Sequence, residues 1–292
     1  MDSKPKNILE PPGPKHKFLG ANAYFSFLTD GLSFLTKLHK EYGDIVMLKA
    51  SGHRIYLIAD LKYIDHILVR DPENFTKGVG FQRGRIILGN GILTSEGPFH
   101  HSQRKMINPA FHRSRWELYF SIVRKSVHNL IADWKERIKK ENVLEMHEEM
   151  LNLFVEIIFS TAFSEDKNKR LCDCAKKFGD LFHKLNPIYL LDPHKALKLP
   201  FPSINRIKKA KEDLDNEIYK VIDKRLKENI KRDDILGIMV DAKDEDGKQM
   251  SREQLYDEIF TVYMAGTDTS AKVMTWGFYL LEQNKKDAEK FL

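Results

Sequence analysis

Cysteine is nearly absent from this chain. Its two cysteines, Cys172 and Cys174, form Cys-x-Cys with no second pair. That excludes a disulfide framework and a four-ligand zinc site, and points to a reducing compartment, read here as the cytoplasm. The N-terminus, Met-Asp-Ser-Lys-Pro-Lys-Asn-Ile-Leu-Glu, has no signal-peptide core. No run of the ~18 apolar residues needed to span a membrane occurs, so no membrane anchor is expected. Arginines do not cluster among aromatics, which argues against nucleic acid. There is no internal repeat or low-complexity segment.

What is present is a globular composition. Hydrophobic residues make up 42% of the chain, enough to bury a sizeable core. The net charge of +6 fits a solvated surface, with a basic patch for an acidic protein as the second reading.

The organising stretch is residues 251–283. Ser251 followed by Gln254 is a capping-box start. Leu255, Ile259, Val262, Met264, Val273, Trp276, Tyr279 and Leu280 continue at helical spacing, predicting a long helix through the middle of a domain. At its centre sits Ala265-Gly266-Thr267-Asp268-Thr269-Ser270, made largely of poor helix-interior residues. Either Gly266 ends one helix and Asp268 or Thr269 caps the next, or the helix continues. In the second case the Thr269 hydroxyl bonds back to the Ala265 carbonyl, and a small molecule can approach the backbone there.

Upstream, Pro11-Pro12-Gly13-Pro14 is a stiff entry segment. A helix is expected over 22–42, closed by Gly43. Residues 45–49 and 54–58 are β-rich runs of a hairpin, and Asp60 caps a helix over 61–70 that Asp71-Pro72 stops. Residues 81–95 are Gly-rich without a clear period, a mobile lid or a packed connection. Helices follow over 116–140, 144–163, 171–185, 207–230 and 233–240. The proline-bearing stretch 186–202 separates two of them. His100 and Arg104 lie four apart, so on a helix both can grip one anionic group.

Two motifs in order carry a resemblance. Ala265-Gly266-Thr267-Asp268-Thr269-Ser270 within a long apolar helix resembles the oxygen-activation motif of the cytochrome P-450 (haem-thiolate monooxygenase) family. Gly89-Asn90-Gly91-Ile92-Leu93, His100, Arg104 and Pro109-Ala110-Phe111 resemble its Gly-x-Gly-Leu, Trp-x-x-x-Arg and Pro-Ala-Phe pattern, with His100 at the tryptophan position.

The resemblance implies a mostly α fold with a small N-terminal β-sheet, the cytochrome P-450 fold, C-terminally truncated. It implies one incomplete domain over 1–292, with the sheet near 45–58 and helices from about 100 onward. It also implies haem b as cofactor. His100 and Arg104 are then expected on a haem propionate, with Ala265 and Gly266 against the haem. Asp268 and Thr269 are expected as the catalytic pair. Ile86, Ile87, Ile92, Leu93 and Ala265 would line an apolar substrate pocket, with 186–202 as the loop over its channel. O2 and an electron-donor protein, a ferredoxin, flavodoxin or reductase, would be partners.

The family's Glu-x-x-Arg and Phe-x-x-Gly-x-Arg-x-Cys motifs are missing. Arg170-Leu171-Cys172 matches Arg-x-Cys by accident, so no residue here is expected to bind the iron. The chain is therefore expected to be the N-terminal portion of such an enzyme, inactive by itself. The competing reading is a haem-free helical protein that binds an apolar ligand or a partner.

Overall fold

The computed structural model describes residues 10–14, 21–50, 53–140, 143–164, 168–184, 198, 201–228 and 231–290. The proposed channel loop, 186–202, lies outside them but for 198, 201 and 202. The chain divides into two compact units, Met1–Thr76 and Lys77–Leu292, each described by itself.

In the first unit, α1 (Ala21–Tyr42) precedes strands β1 (Ile45–Ala50) and β2 (His53–Ile58). The strands pair antiparallel, Ile45 opposite Ile58 and Leu48 opposite Ile55. Leu38, Val46 and Leu48 are buried among Phe34, Tyr42 and Leu57. The expected uninterrupted helix is kinked at Asp30, whose carboxylate accepts the Ser33 N–H and starts the second segment. Gly43 ends α1 at φ +93°, a value that favours glycine. The Pro12 carbonyl accepts the Met47 N–H at 2.9 Å, so the proline-rich entry lies along β1. Asp60 caps α2 (Leu61–Asp65) as expected, but from His66 to Arg70 the helix widens into a π-type turn.

The second unit begins with α3 (Val79–Leu88) and α4 (Gly97–Ile107). Most of α3 was expected to be irregular. Its three glycines, 78, 80 and 84, hide the periodicity, and Gly78 takes the N-cap position without a side chain. Then come α5 (Trp116–Arg137), α6 (Met146–Phe163), α7 (Lys169–His183), α8 (Pro202–Glu228) and α9 (Ile235–Asp241). The long helix α10 (Arg252–Gln283) follows, and α11 (Lys285–Ala288) ends the described chain. Helix α8 starts five residues before its expected start at Ile207, because Pro202 is pre-set for the first helical position.

Both halves of the α10 capping box form: Ser251 Oγ accepts from Gln254 N, and Gln254 Oε1 accepts from Ser251 N. Helix α6 is apolar nearly all round and is the most buried. It packs along α10, while α7 pairs with α8. Along α8, Ile204, Ile207, Ala210, Leu214, Ile218 and Ile222 follow helical spacing and are buried. Stacked rings join the helices: Tyr219 on Tyr256 at 4.5 Å and Tyr263 on Phe159 at 5.4 Å.

One buried ion pair ties three helices together. The Arg225 guanidinium holds Asp234 through bonds of 2.8 and 2.9 Å, and both side chains are 1% exposed. Arg225 also donates to the Phe163 carbonyl at the end of α6, and Asp234 caps α9 through the Gly237 N–H. Removing one partner strands a buried charge.

Between α3 and α4, residues 89–95 are pinned to α10. Asn90 N donates to Asp257 and Ile92 N to Glu258, both at 2.9 Å. The approach demands glycine. A Cβ on Gly89 would lie 2.1 Å from Asp257 Oδ1, and one on Gly91 2.3 Å from Thr261 Oγ1. Burial lifts the Glu258 carboxyl from 4.5 to about 7, against the opposing pull of the Ile92 N–H.

Two outcomes are expected from urea unfolding of the chain, alone or within a longer protein containing it. Asp234→Ala should cost about 3–5 kcal/mol, the loss typical of a broken buried pair. Because the Glu258 carboxyl titrates higher folded than unfolded, its favourable contribution is present at low pH. That contribution is lost as pH rises from about 4.5 through about 7. Glu258→Gln should remove that part of the pH slope, and an unchanged slope would contradict the assignment.

Candidate active site

Helix α10 runs without a break through Ala265–Ser270. The reading in which Gly266 ends a helix is therefore replaced by the continuous one. The Thr269 hydroxyl donates to the Ala265 carbonyl at 2.6 Å, as the spacing predicts. Thr267 does the same to Tyr263 at 2.8 Å, and Thr275 to Ala271 at 2.8 Å. Each hydroxyl finds an acceptor without leaving the helix. Gly266 has a packing reason instead: a Cβ there would lie 2.6 Å from Ile158 Cδ1 of α6.

The motif's residues separate onto two sides. Ala265 and Thr269 are exposed, on a face continued by Val273 and Trp276, which are 70% and 61% exposed. Asp268 lines a cavity of about 440 Å³ between α6, α7 and α10, with Asn152, Asp173, Asp180 and Thr267. Its carboxylate is bonded to Lys272, one turn on, at 2.6 Å. The catalytic pair expected from the sequence is thus adjacent in the chain, but Thr269 belongs to the open face and Asp268 to the cavity.

His100 and Arg104 lie one turn apart on α4. His100 is half-buried and Arg104 exposed. Burial, then the charges of Lys77, His101 and Arg104, push the His100 imidazole below its usual range. Lys77 therefore belongs to the same electrostatic neighbourhood, although no sequence pattern points to it. Its ammonium donates to the carbonyls of Ile92 and Ser95 at 2.7 Å each, which leaves one donor unspent. Among the described residues, Arg104 has no carboxylate partner.

The five expected pocket residues do not share one cavity. Ile86 and Ile87 on α3 line a second cavity of about 440 Å³, walled by α7 and α8. Ile87 and Ile92 also pack on the main core, Leu93 is half-buried, and Ala265 is exposed on α10. Cys172 and Cys174 lie on α7, buried and half-buried, and Arg170 beside them pairs with Glu217 of α8 at 2.9 Å. Among the described residues, no cluster of His, Cys, Asp and Glu could hold a metal, and no helix is long and apolar enough to cross a membrane.

The sequence model described as Cytochrome P450 matches residues 11–291. Among curated relatives, pentalenene oxygenase of Streptomyces avermitilis is 26% identical over 253 residues, which is 87% of this chain and 55% of that protein. Cyclooctatin synthase of Streptomyces melanosporofaciens is 28% identical over 263 residues, 87% of this chain and 55% of that one. The chain thus spans about half the length of these relatives. The structure of retinoic acid-bound cyanobacterial CYP120A1 superposes with a TM-score of 0.77 at 22% identity. The match covers 98% of this chain and 62% of that one, a likeness of fold. The family's cofactor is haem b. With the motifs of α4 and α10 in place and a family match over nearly all its length, this chain belongs to the cytochrome P450 family.

Proposed function

We propose that this chain forms one wall and the propionate clamp of the haem site in a haem-thiolate monooxygenase that hydroxylates an apolar small molecule. The observation that carries the reading is the unbroken α10, which presents Ala265 and Thr269 on an open, largely apolar face while Asp268 reaches a cavity behind it. That face suits a flat apolar ring system. The donors near α4 suit its carboxylates, because Arg104 is not neutralised by a neighbour and Lys77 keeps a donor. The relative named pentalenene oxygenase agrees with this chemistry.

Haem b, when bound with a thiolate ligand, supplies the activation of O2 and the transfer of one oxygen atom. The chain's own residues bind, orient and move protons. Ala265 keeps the helix surface shallow where the ring would rest. The Thr269 hydroxyl spends its proton on Ala265 O and leaves lone pairs free to hold a water over that surface. Asp268, steadied by Lys272, carries protons from the α6–α7 cavity towards Thr269. His100 and Arg104 would hold the propionates. O2 and two electrons from a ferredoxin, flavodoxin or reductase complete the reaction.

In the longer enzyme that contains this chain, Thr269→Ala should divert reducing equivalents to hydrogen peroxide while haem content stays constant. Unchanged product formed per electron consumed would sink the role. Asp268→Asn should slow turnover by about a hundredfold or more and alter the solvent isotope effect. For the clamp, Arg104→Leu should lower haem occupancy by about tenfold or more. A charge-assisted hydrogen bond of ~1.5–3 kcal/mol is worth that much. A shift in substrate preference at full haem occupancy would contradict the assignment.

A further inference from the structure

Residues 89–95 are gripped by groups of opposite charge. On the α10 side, Asp257 and Glu258 accept the Asn90 and Ile92 N–H groups at 2.9 Å each. The carbonyls are taken by cations. The Lys77 ammonium donates to those of Ile92 and Ser95 at 2.7 Å each, and Arg85 of α3 donates to that of Thr94 at 2.8 and 3.0 Å. Ile92 is therefore held by an acid at its N–H and by a cation at its C=O. Thr94 and Ser95 are buried, and Gly89 and Gly91 lie too close to α10 to carry a side chain.

Glu258 is the costly part of this fastening. It is 1% exposed, and among the described residues no cation pairs with it. Asp257, next in the chain, carries the same charge, while Lys77 attracts it only from a distance. Asp257 has its own counter-charge in Lys211 of α8. A carboxylate so placed is more easily buried neutral than charged, and burial lifts its titration to about 7. Protonated, it keeps its bond, since Oε2 still accepts from Ile92 while Oε1 carries the proton. An acceptor for that proton stands one turn on: Thr261 Oγ1 is buried and has no hydrogen bond among the described residues. The His100 imidazole also titrates below its usual range, but among the described residues its ring makes no hydrogen bond to the segment.

We propose that residues 89–95 form a proton-dependent latch: closing them over Glu258 takes up a proton from solvent, so the segment is held shut in acid and loosens towards neutral pH. Opening returns Glu258 to water as a carboxylate and releases the proton. The carboxyl titrates at about 7 with the segment closed and near its ordinary 4.5 with Glu258 in water. The favourable contribution is therefore complete below about 4.5 and is lost as pH rises through about 7. The segment carries Leu93 and leads into α4. As a gate to the proposed pocket the latch rests on the monooxygenase reading, and as a closure that binds a proton it does not.

The test is amide hydrogen exchange in the longer enzyme that contains this chain, read at Asn90 and Ile92 and corrected for the intrinsic pH dependence of exchange. These two amides should open more readily than those of Val155 and Phe159, which are buried in α6 and report global unfolding. Their opening constant should rise by about ten- to a hundredfold from pH 5 to pH 8 and level off above that. Glu258→Gln, which keeps an acceptor for Ile92 without the charge, should flatten the curve. Gly91→Ala, whose Cβ would lie 2.3 Å from Thr261 Oγ1, should prop the segment open and make the opening constant large and flat. A rise with pH that persists in either variant would overturn the latch. So would a wild-type curve that stays flat or falls, or Asn90 and Ile92 amides that exchange only as fast as those of α6. A failed haem assignment would appear instead as absent haem binding, with the pH curve of Ile92 intact.

Discussion

The central helix has to stay helical through residues 266–270, five residues of weak helix propensity. Three devices hold it. The hydroxyls of Thr267, Thr269 and Thr275 each bond to a carbonyl four residues back, so their polar atoms do not compete from outside the helix. Gly266 lets α6 approach to a distance that any side chain would block. Upstream, Tyr256, Phe260 and Tyr263 are buried and packed against rings of α6, α7 and α8. Burial of such rings, roughly 1.5–3 kcal/mol each, outweighs the weak propensities of the middle segment. Both sides of the proposed chemistry follow from this continuity. A break at Gly266 would part Ala265 from Asp268 and Thr269, and the bond from the Thr269 hydroxyl to the Ala265 carbonyl would be lost.

Local features were readable in the sequence. The capping box at Ser251 and Gln254, the hairpin, and the back-bond from Thr269 to Ala265 depend on residues within four positions or on a period of two. The wrong or missing parts have physical reasons. Helix α3 carries glycines at 80 and 84 and a third at its N-cap, which break the pattern, yet its end is closed by the Gly89 N–H on the Arg85 carbonyl. The motif glycines 89 and 91 could be noticed but not explained, because their reason is Asp257 and Thr261, far along the chain. Lys77 and Lys272 became visible only through their neighbours. That Asp268 meets a cavity while Thr269 stays open depends on what α6 and α7 bring, which no period in α10 encodes.

Two charged groups in the second unit close on themselves. Arg225 and Asp234 satisfy each other, and so do Lys211, Asp215 and Tyr256. Such groups add little net stability over well-packed apolar residues, but they punish any misplacement of the helices that carry them. By contrast, Arg104 on α4 and Lys208 on α8 have no such partners among the described residues.

The pinning of residues 89–95 carries a consequence in time. The bond from Ile92 to Glu258 joins groups 166 positions apart, and the bond from Asn90 to Asp257 spans 167. During synthesis the loop leaves the ribosome long before its acceptors exist. Contacts of such sequence separation are slow to form, since a long loop must close before they repay it. The segment bearing Ile92 and Leu93 must therefore wait, its backbone N–H groups exchanging freely with solvent, until α10 has been translated and has packed on α6. The proposed site is then completed late in folding, and the earlier helices are assembled before the chain can be tested for what it binds.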